Sequence, residues 1–322
     1  MRDRYGSPDV LELKDVDLPV VGDGDVLVRV QAASLNAADL DYLYGRPFLT
    51  RMGTGLRTPR NRGLGLDAAG VVEMVGKDVT RFKPGDQVFG DLTAFGYGAF
   101  AEYASAPERA WAQMPASISF EVAATIPQAA ILALQGLHGG PPIEPGQSVL
   151  VNGASGNVGP FAIQIAKALG AEVTGVSSTS KMELVRSIGA DHVIDYTTTD
   201  YTRTGLRYDR ILDVAGNRSL FECKRALKPG GVYAMVGGPT GRIFAALFIG
   251  PLISLAGSRK MGLMFNWKPF NQPDVTVLTD LLGAGKIVPV IDRRYPLSEV
   301  PAALRYLDDG LARGKVVITI SD

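Results

Sequence analysis

The stretch SVLVNGASGNVGPFAIQIAKALGAEVTGV, residues 148–176, constrains this chain more than any other. Its opening SVLVN is apolar without alternation, as a parallel strand covered on both faces requires. Val158, Phe161, Ala162, Ile165, Ala166 and Leu169 then recur at helical spacing and form one apolar stripe. Gly170 stops that helix, and AEVTGV begins another strand. Between the first strand and the helix stands Ala154-Ser155-Gly156-Asn157-Val158-Gly159, an A-x-G-x-x-G pattern. A small first residue permits the tight turn, Gly156 lets backbone approach a pyrophosphate, and Gly159 lets the helix pack on the strand. The helix start adds unpaired N–H groups and partial positive charge. These six residues are the expected dinucleotide cradle.

The end of the second strand bears on which dinucleotide. An NAD site places an acidic residue there to accept from the ribose 2′-hydroxyl. This chain runs Ser177-Ser178-Thr179-Ser180-Lys181, with no carboxylate until Glu183. Ser177, Ser178 and Lys181 suit a 2′-phosphate and point to NADPH; the plainer reading is a solvated loop with a surface lysine.

The 322 residues suffice for two domains. Lys plus Arg and Asp plus Glu number 33 each, so no overall field points to nucleic acid. The single cysteine, Cys223, excludes an intrachain disulfide and a thiolate zinc site, and reads as core. MRDRYGSPDV is polar and unlike a signal peptide, so the expected location is cytoplasmic. The run Ile243 to Gly257 is shorter than the roughly 20 residues a spanning helix needs and reads as a buried or interface helix, with membrane contact a minor alternative.

Before about residue 119 the chain reads as short β-branched strands and turns, among them VLVRVQAASL, AAGVVEMVG and RFKPGDQVFG. This pattern suggests a partly antiparallel barrel. Strand–helix alternation follows, through HVIDY, YDRILDV and GGVYAMVGG, to a last open-sheet strand at Met261 to Asn266. The end of the chain alternates strand, helix and strand and returns to the first domain. The expected fold is α/β, with a doubly wound parallel sheet (119–266) inserted between 1–118 and 267–322. Gly237 and Asn266 end sheet strands at the carboxyl edge, where such sheets bind ligands. The segment Gly45 to Arg62 carries Arg46, Arg51, Arg57, Arg60 and Arg62 and reads as a lid, an anion-attracting rim or a solvated loop.

RYGSPDVLEL, VLVRVQAASLNAAD, GLDAAGVVEMVG, RFKPGDQVFG, NGASGNVG and GKVVITI, in that order, make the chain resemble the medium-chain dehydrogenase/reductase superfamily, in its zinc-free quinone oxidoreductase (zeta-crystallin-like) branch. The resemblance covers nearly the whole chain and implies a Rossmann domain set in a GroES-like catalytic domain, and a homodimer. Zinc-containing members carry a cysteine at the position of Asn36 and a histidine at that of Leu66, with the third ligand near Gln128. Asn, Leu and Gln make no tetrahedral zinc site, so no metal is expected. The resemblance puts Asn36 beside nicotinamide and substrate, and Asp39 to Tyr42 along the same cleft. Tyr42 or Tyr44 would supply a phenolic proton or else simply pack. Tyr196 matches a residue over the adenine 2′-phosphate, with strand-end packing as its plainer role. The expected reaction is hydride transfer from NADPH to a quinone or α,β-unsaturated carbonyl, a small-molecule substrate. The competing readings are a nucleotide-bound sensor with little turnover and a lipid-associated protein.

Overall fold

A computed structural model describes residues 1–48, 50–264 and 268–320. Two compact units divide the chain: Met1–Gln128 with Pro269–Thr279 and Ile291–Asp322, and Ala129–Lys268 with Asp280–Val290. This first boundary and the expected one at 118 differ because helix Phe120–Ala124, capped by Ser119 Oγ accepting from Val122 N, packs on the strands before it. Residues 280–290 join the second unit through Gln164, whose amide donates to Val288 O at 3.0 Å and accepts from Val288 N at 2.8 Å.

In chain order the strands are β1 (Asp25–Ser34), β2 (Asp67–Val75), β3 (Gln87–Asp91), β4 (Tyr103–Pro107), β5 (Trp111–Gln113), β6 (Ser148–Asn152), β7 (Glu172–Ser177), β8 (His192–Asp195), β9 (Tyr208–Asp213), β10 (Leu227–Met235), β11 (Lys260–Leu263), β12 (Ile291–Pro296) and β13 (Lys315–Thr319). The first unit's sheet runs β12-β13-β1-β2-β3-β5, with β4 also on β1. Its pairings are antiparallel except β12 with β13. β1 is the spine: it pairs β2 along one side, and β13 and β4 along the other.

The second unit's sheet is parallel throughout, in the order β11-β10-β9-β6-β7-β8. The order reverses between β6 and β9, so the loops leaving those two strands diverge to opposite sides and open a crevice at their carboxyl ends. The helical stripe expected over 158–169 is helix Gly159–Ala168, with Phe161, Ala162, Ile165 and Ala166 buried and Gly170 at φ +82° beyond its end.

Ile243 to Gly257 lies within and just beyond helix Thr240–Leu255, which buries Ala246, Gly250 and Ile253. Its other face exposes Phe248 and Leu252 at 64% each and Leu255 at 85%. Among the described residues no helix is long and apolar enough to cross a membrane.

The arginine-rich segment is more ordered than its composition suggests. It contains helix Thr50–Thr54. Arg51 lies 4.6 Å over the Tyr5 ring and donates to Gly45 O at 3.1 Å, while Arg46 lies 4.4 Å over Tyr44. Cation–π pairing of this kind leaves no periodicity in the sequence, which is why the segment reads as irregular.

Candidate active site

The cradle residues fall between β6 and helix Gly159–Ala168. Gly153, at φ +89°, turns the chain, and the N–H groups of Gly153 and Ala154 both donate to Val176 O on the neighbouring strand. A Cβ on Gly159 would stand 2.3 Å from Gly153 O, so only glycine lets helix and turn approach this closely. A Cβ on Gly156 would meet nothing nearer than Gly153 O at 3.6 Å. Glycine at 156 is therefore not demanded by packing within the chain. It leaves open the surface that a pyrophosphate needs, beside the first turn whose N–H groups have no intrahelical acceptor. Ala154 and Ser155 are buried, and Asn157 and Val158 lead into the helix.

Ser177 ends β7 and Ser178 follows it. Ser177 O accepts from Tyr196 N at 3.0 Å, which brings Tyr196, itself 47% exposed, to the same strand end. Lys181 closes a short 3₁₀ turn just beyond, at Thr179–Lys181. The sequence reading missed Asp195, the cross-strand neighbour of Ser177. Its carboxylate accepts from the hydroxyls of Thr179 and Thr197, and these hydrogen bonds hold its pKa below the usual carboxylate value. No spacing rule ties β8 to the β7 end, so nothing marked Asp195 beforehand.

Across the crevice, Gly237 follows β10, and a buried polar network ties the central strands together. Asp213 accepts from Asn152 Nδ2 at 2.8 Å, Gly216 N at 2.7 Å and Tyr233 Oη at 2.9 Å. Asn152 also donates to Asn217 at 2.9 Å. Asn152 and Asp213 sit in runs that read simply as strand ends, so sequence reasoning passed over them. Asn266 lies outside the described residues. Cys223 is buried against Tyr201 Oη at 3.4 Å, and burial pushes its thiol up to about 12.

In the first unit Asn36 begins helix Ala37–Tyr44, but its side chain turns into the core. Nδ2 donates to Asp67 Oδ2 at 2.9 Å, and Oδ1 accepts from Lys315 Nζ at 2.6 Å. Lys315 also donates to Leu35 O at 3.0 Å and lies 3.5 Å from Asp67. Ammonium on the oxygen and carboxylate on the nitrogen fix the amide's orientation. Asp39 accepts from Asn36 N at 2.8 Å, the backbone-ordering role that its position suggests. Burial raises Asp39 to about 8 and Asp67 to about 7.

The two tyrosines differ. Tyr44 Oη donates to Asp308 at 2.6 Å on the exposed side. The half-buried Tyr42 ring packs at 4.4 Å against Tyr97, which the sequence reading did not name; burial raises both phenols. Tyr97 holds φ +65° between Gly96 and Gly98, and this glycine-flanked tyrosine was the available signal.

Leu66 is fully buried and apolar, and Gln128 Nε2 donates to Thr93 Oγ1 at 3.2 Å. With the Asn36 amide held by Asp67 and Lys315, these residues do not fit a zinc ion. Among the described residues no cluster of three or more His, Cys, Asp or Glu could hold a metal.

A parallel sheet in this order, with a glycine turn at its reversal and a second β-rich unit in the same chain, defines a class of dinucleotide-dependent oxidoreductases. Comparison with known proteins narrows that class. Residues 22–116 match the family described as "Alcohol dehydrogenase GroES-like domain", and residues 188–318 the one described as "Zinc-binding dehydrogenase". The mitochondrial NAD(P)H oxidoreductase RTN4IP1 of Mus musculus is 33% identical over 99% of this chain and 88% of its own length. The 2-methylene-furan-3-one reductase of Solanum lycopersicum is 34% identical over 98% and 76%. The quinone oxidoreductase structure from Coxiella burnetii superposes with a TM-score of 0.88 at 28% identity, over 99% of this chain and 98% of that one. The chain belongs to the medium-chain dehydrogenase/reductase superfamily, in its zeta-crystallin-like quinone oxidoreductase branch. It is accordingly an NAD(P)H-dependent oxidoreductase.

Proposed function

We propose that this protein reduces quinones or α,β-unsaturated carbonyls with NADPH and without zinc. The observation that carries the reading is the Gly156 position, open where the fold alone does not need a glycine. When bound, NADPH supplies the hydride. Ala154 to Gly159 would hold the pyrophosphate, and Gly237 would flank the crevice. Ser177, Ser178, Lys181 and Tyr196 would hold the 2′-phosphate; Asp195, already accepting two hydroxyls, is the group that works against it. Relatives named as a quinone oxidoreductase and an NADPH-dependent alkenal/one oxidoreductase support the substrate class. In such substrates conjugation stabilises the incoming electron pair, so a Lewis acid is not required.

Asn36, locked by Lys315 and Asp67, would present a rigid amide wall to substrate rather than a mobile acid. Tyr44 already gives its hydrogen to Asp308, so the proton falls to Tyr42, with Tyr97 packed behind it. A homodimer is supported by the free side of β11, whose only strand partner among the described residues is β10, and by the exposed face of helix Thr240–Leu255. The lone buried thiol is compatible with the cytoplasm. Absorbance loss from NADPH with a panel of quinones and enones tests the activity. Turnover with at least one class is expected, and bound but unoxidised cofactor across the panel would refute it.

A further inference from the structure

Arg2 is 2% exposed, and only part of its guanidinium is engaged. Nη1 donates to Tyr42 O and the group lies 5.4 Å over the Tyr5 ring, while Nε and Nη2 have no hydrogen-bond partner among the described residues. A buried, unpaired guanidinium is costly, because the water it has left is not replaced. Arg2 helps line a cavity of about 280 Å³ whose wall also includes Arg60, Asn61, Thr93 and Tyr97. Among the described residues no carboxylate lines it. The cavity adjoins the Asn36 cluster through two links. Thr93 accepts from Gln128, whose backbone is hydrogen-bonded to Asp67, and Tyr97 packs on Tyr42. Two arginines with the Asn61 amide, and no acid among the described lining residues, form a wall that favours an anion, although Thr93 gives its hydroxyl hydrogen to Asp91 behind it. A guanidinium with free N–H groups matches a carboxylate's two oxygens.

We infer that this cavity receives a carboxylate on the substrate, so that the enzyme prefers anionic enones, with Arg2 and Arg60 as the specificity-determining residues. This rests on the enone-reductase reading and adds the charge of the substrate to it. Reduction places the hydride on the carbon β to the carbonyl and a proton on the α carbon, leaving the nicotinamide oxidised; the carboxylate takes no part in the bond changes. Arg2 and Arg60 would act in binding alone.

The test compares 6-oxohept-4-enoate with its methyl ester, in which two methylenes insulate the enone from the charge. The ratio of their kcat/KM values cancels any general loss of activity. The wild-type ratio is expected to favour the acid by about ten-fold or more. Arg2→Met should bring it close to one through the KM for the acid, Arg2→Lys should restore part of it, and Arg60→Met, at an exposed site that folding tolerates, should lower it. A wild-type ratio near one, or a ratio untouched by Arg2→Met and Arg60→Met, overturns the inference and leaves the reductase reading standing. Should neither compound be reduced, the reductase reading fails, and saturation-transfer NMR with 6-oxoheptanoate judges the cavity separately. Saturation by wild type and its loss in Arg2→Met support the site; no saturation by wild type overturns it.

Discussion

Gly156 and Gly159 share one turn, yet an added methyl group meets different surroundings at each. At Gly159 it would stand 2.3 Å from Gly153 O and 2.5 Å from Ala154, all backbone that cannot swing aside. Gly159→Ala should therefore lose about 1–3 kcal/mol or more in urea unfolding. At Gly156 the same methyl meets only ordinary contact at 3.6 Å. Gly156→Ala should leave stability within about 0.5 kcal/mol and weaken NADPH by about ten-fold or more in calorimetry. Equal loss of stability in both variants would mean that Gly156 serves the fold. Lys315 makes a different case, since it lies 3.5 Å from Asp67 with both side chains buried. Above about pH 7, where Asp67 is ionised, removing the cation strands a carboxylate, so Lys315→Met should there destabilise by about 3–5 kcal/mol, and adding Asp67→Asn should recover part of that loss.

At the scale of elements, helix Thr240–Leu255 is apolar on both sides but buries only one. If a second copy covers the other, Phe248→Glu with Leu252→Glu should shift sedimentation from dimer to monomer while leaving the unfolding midpoint of the monomer nearly unchanged. A monomeric wild type removes the dimer proposal. The second unit was legible because its signals are local. SVLVN, the stripe from Val158 to Leu169 and the stop at Gly170 each report on their own neighbours. The first unit was legible as strands but not as a site. What positions Asn36 is Lys315, far along the chain, and what completes Tyr42 is Tyr97 in another loop. No local pattern carries such pairings. Asp195 was hidden likewise, because it reaches the β7 end only through strand pairing.

At the scale of the whole molecule, buried carboxylates tie stability to pH. Burial raises Asp67 to about 7 and Asp39 to about 8, from an ordinary value of 3.8. The folded state thus holds protons that the unfolded chain gives up. That contribution is fully present below the ordinary value and is lost as pH rises through about 7 and about 8. The unfolding temperature should accordingly fall between about pH 4 and about pH 8 and level off above that. Asp39→Asn keeps an acceptor for the Asn36 N–H but carries no titrating group, so its slope should be flatter. An identical slope in the variant would place the titration elsewhere.

In the proposed reaction hydride passes from the bound nicotinamide to a conjugated carbonyl with no metal taking part. Mass spectrometry of the product follows the hydride, using chelator-dialysed protein, 4,4-dideuterated NADPH and an enone. One deuterium is expected on the carbon β to the carbonyl, at a rate indifferent to added zinc. An unlabelled product, or turnover that appears only when zinc is restored, would contradict it.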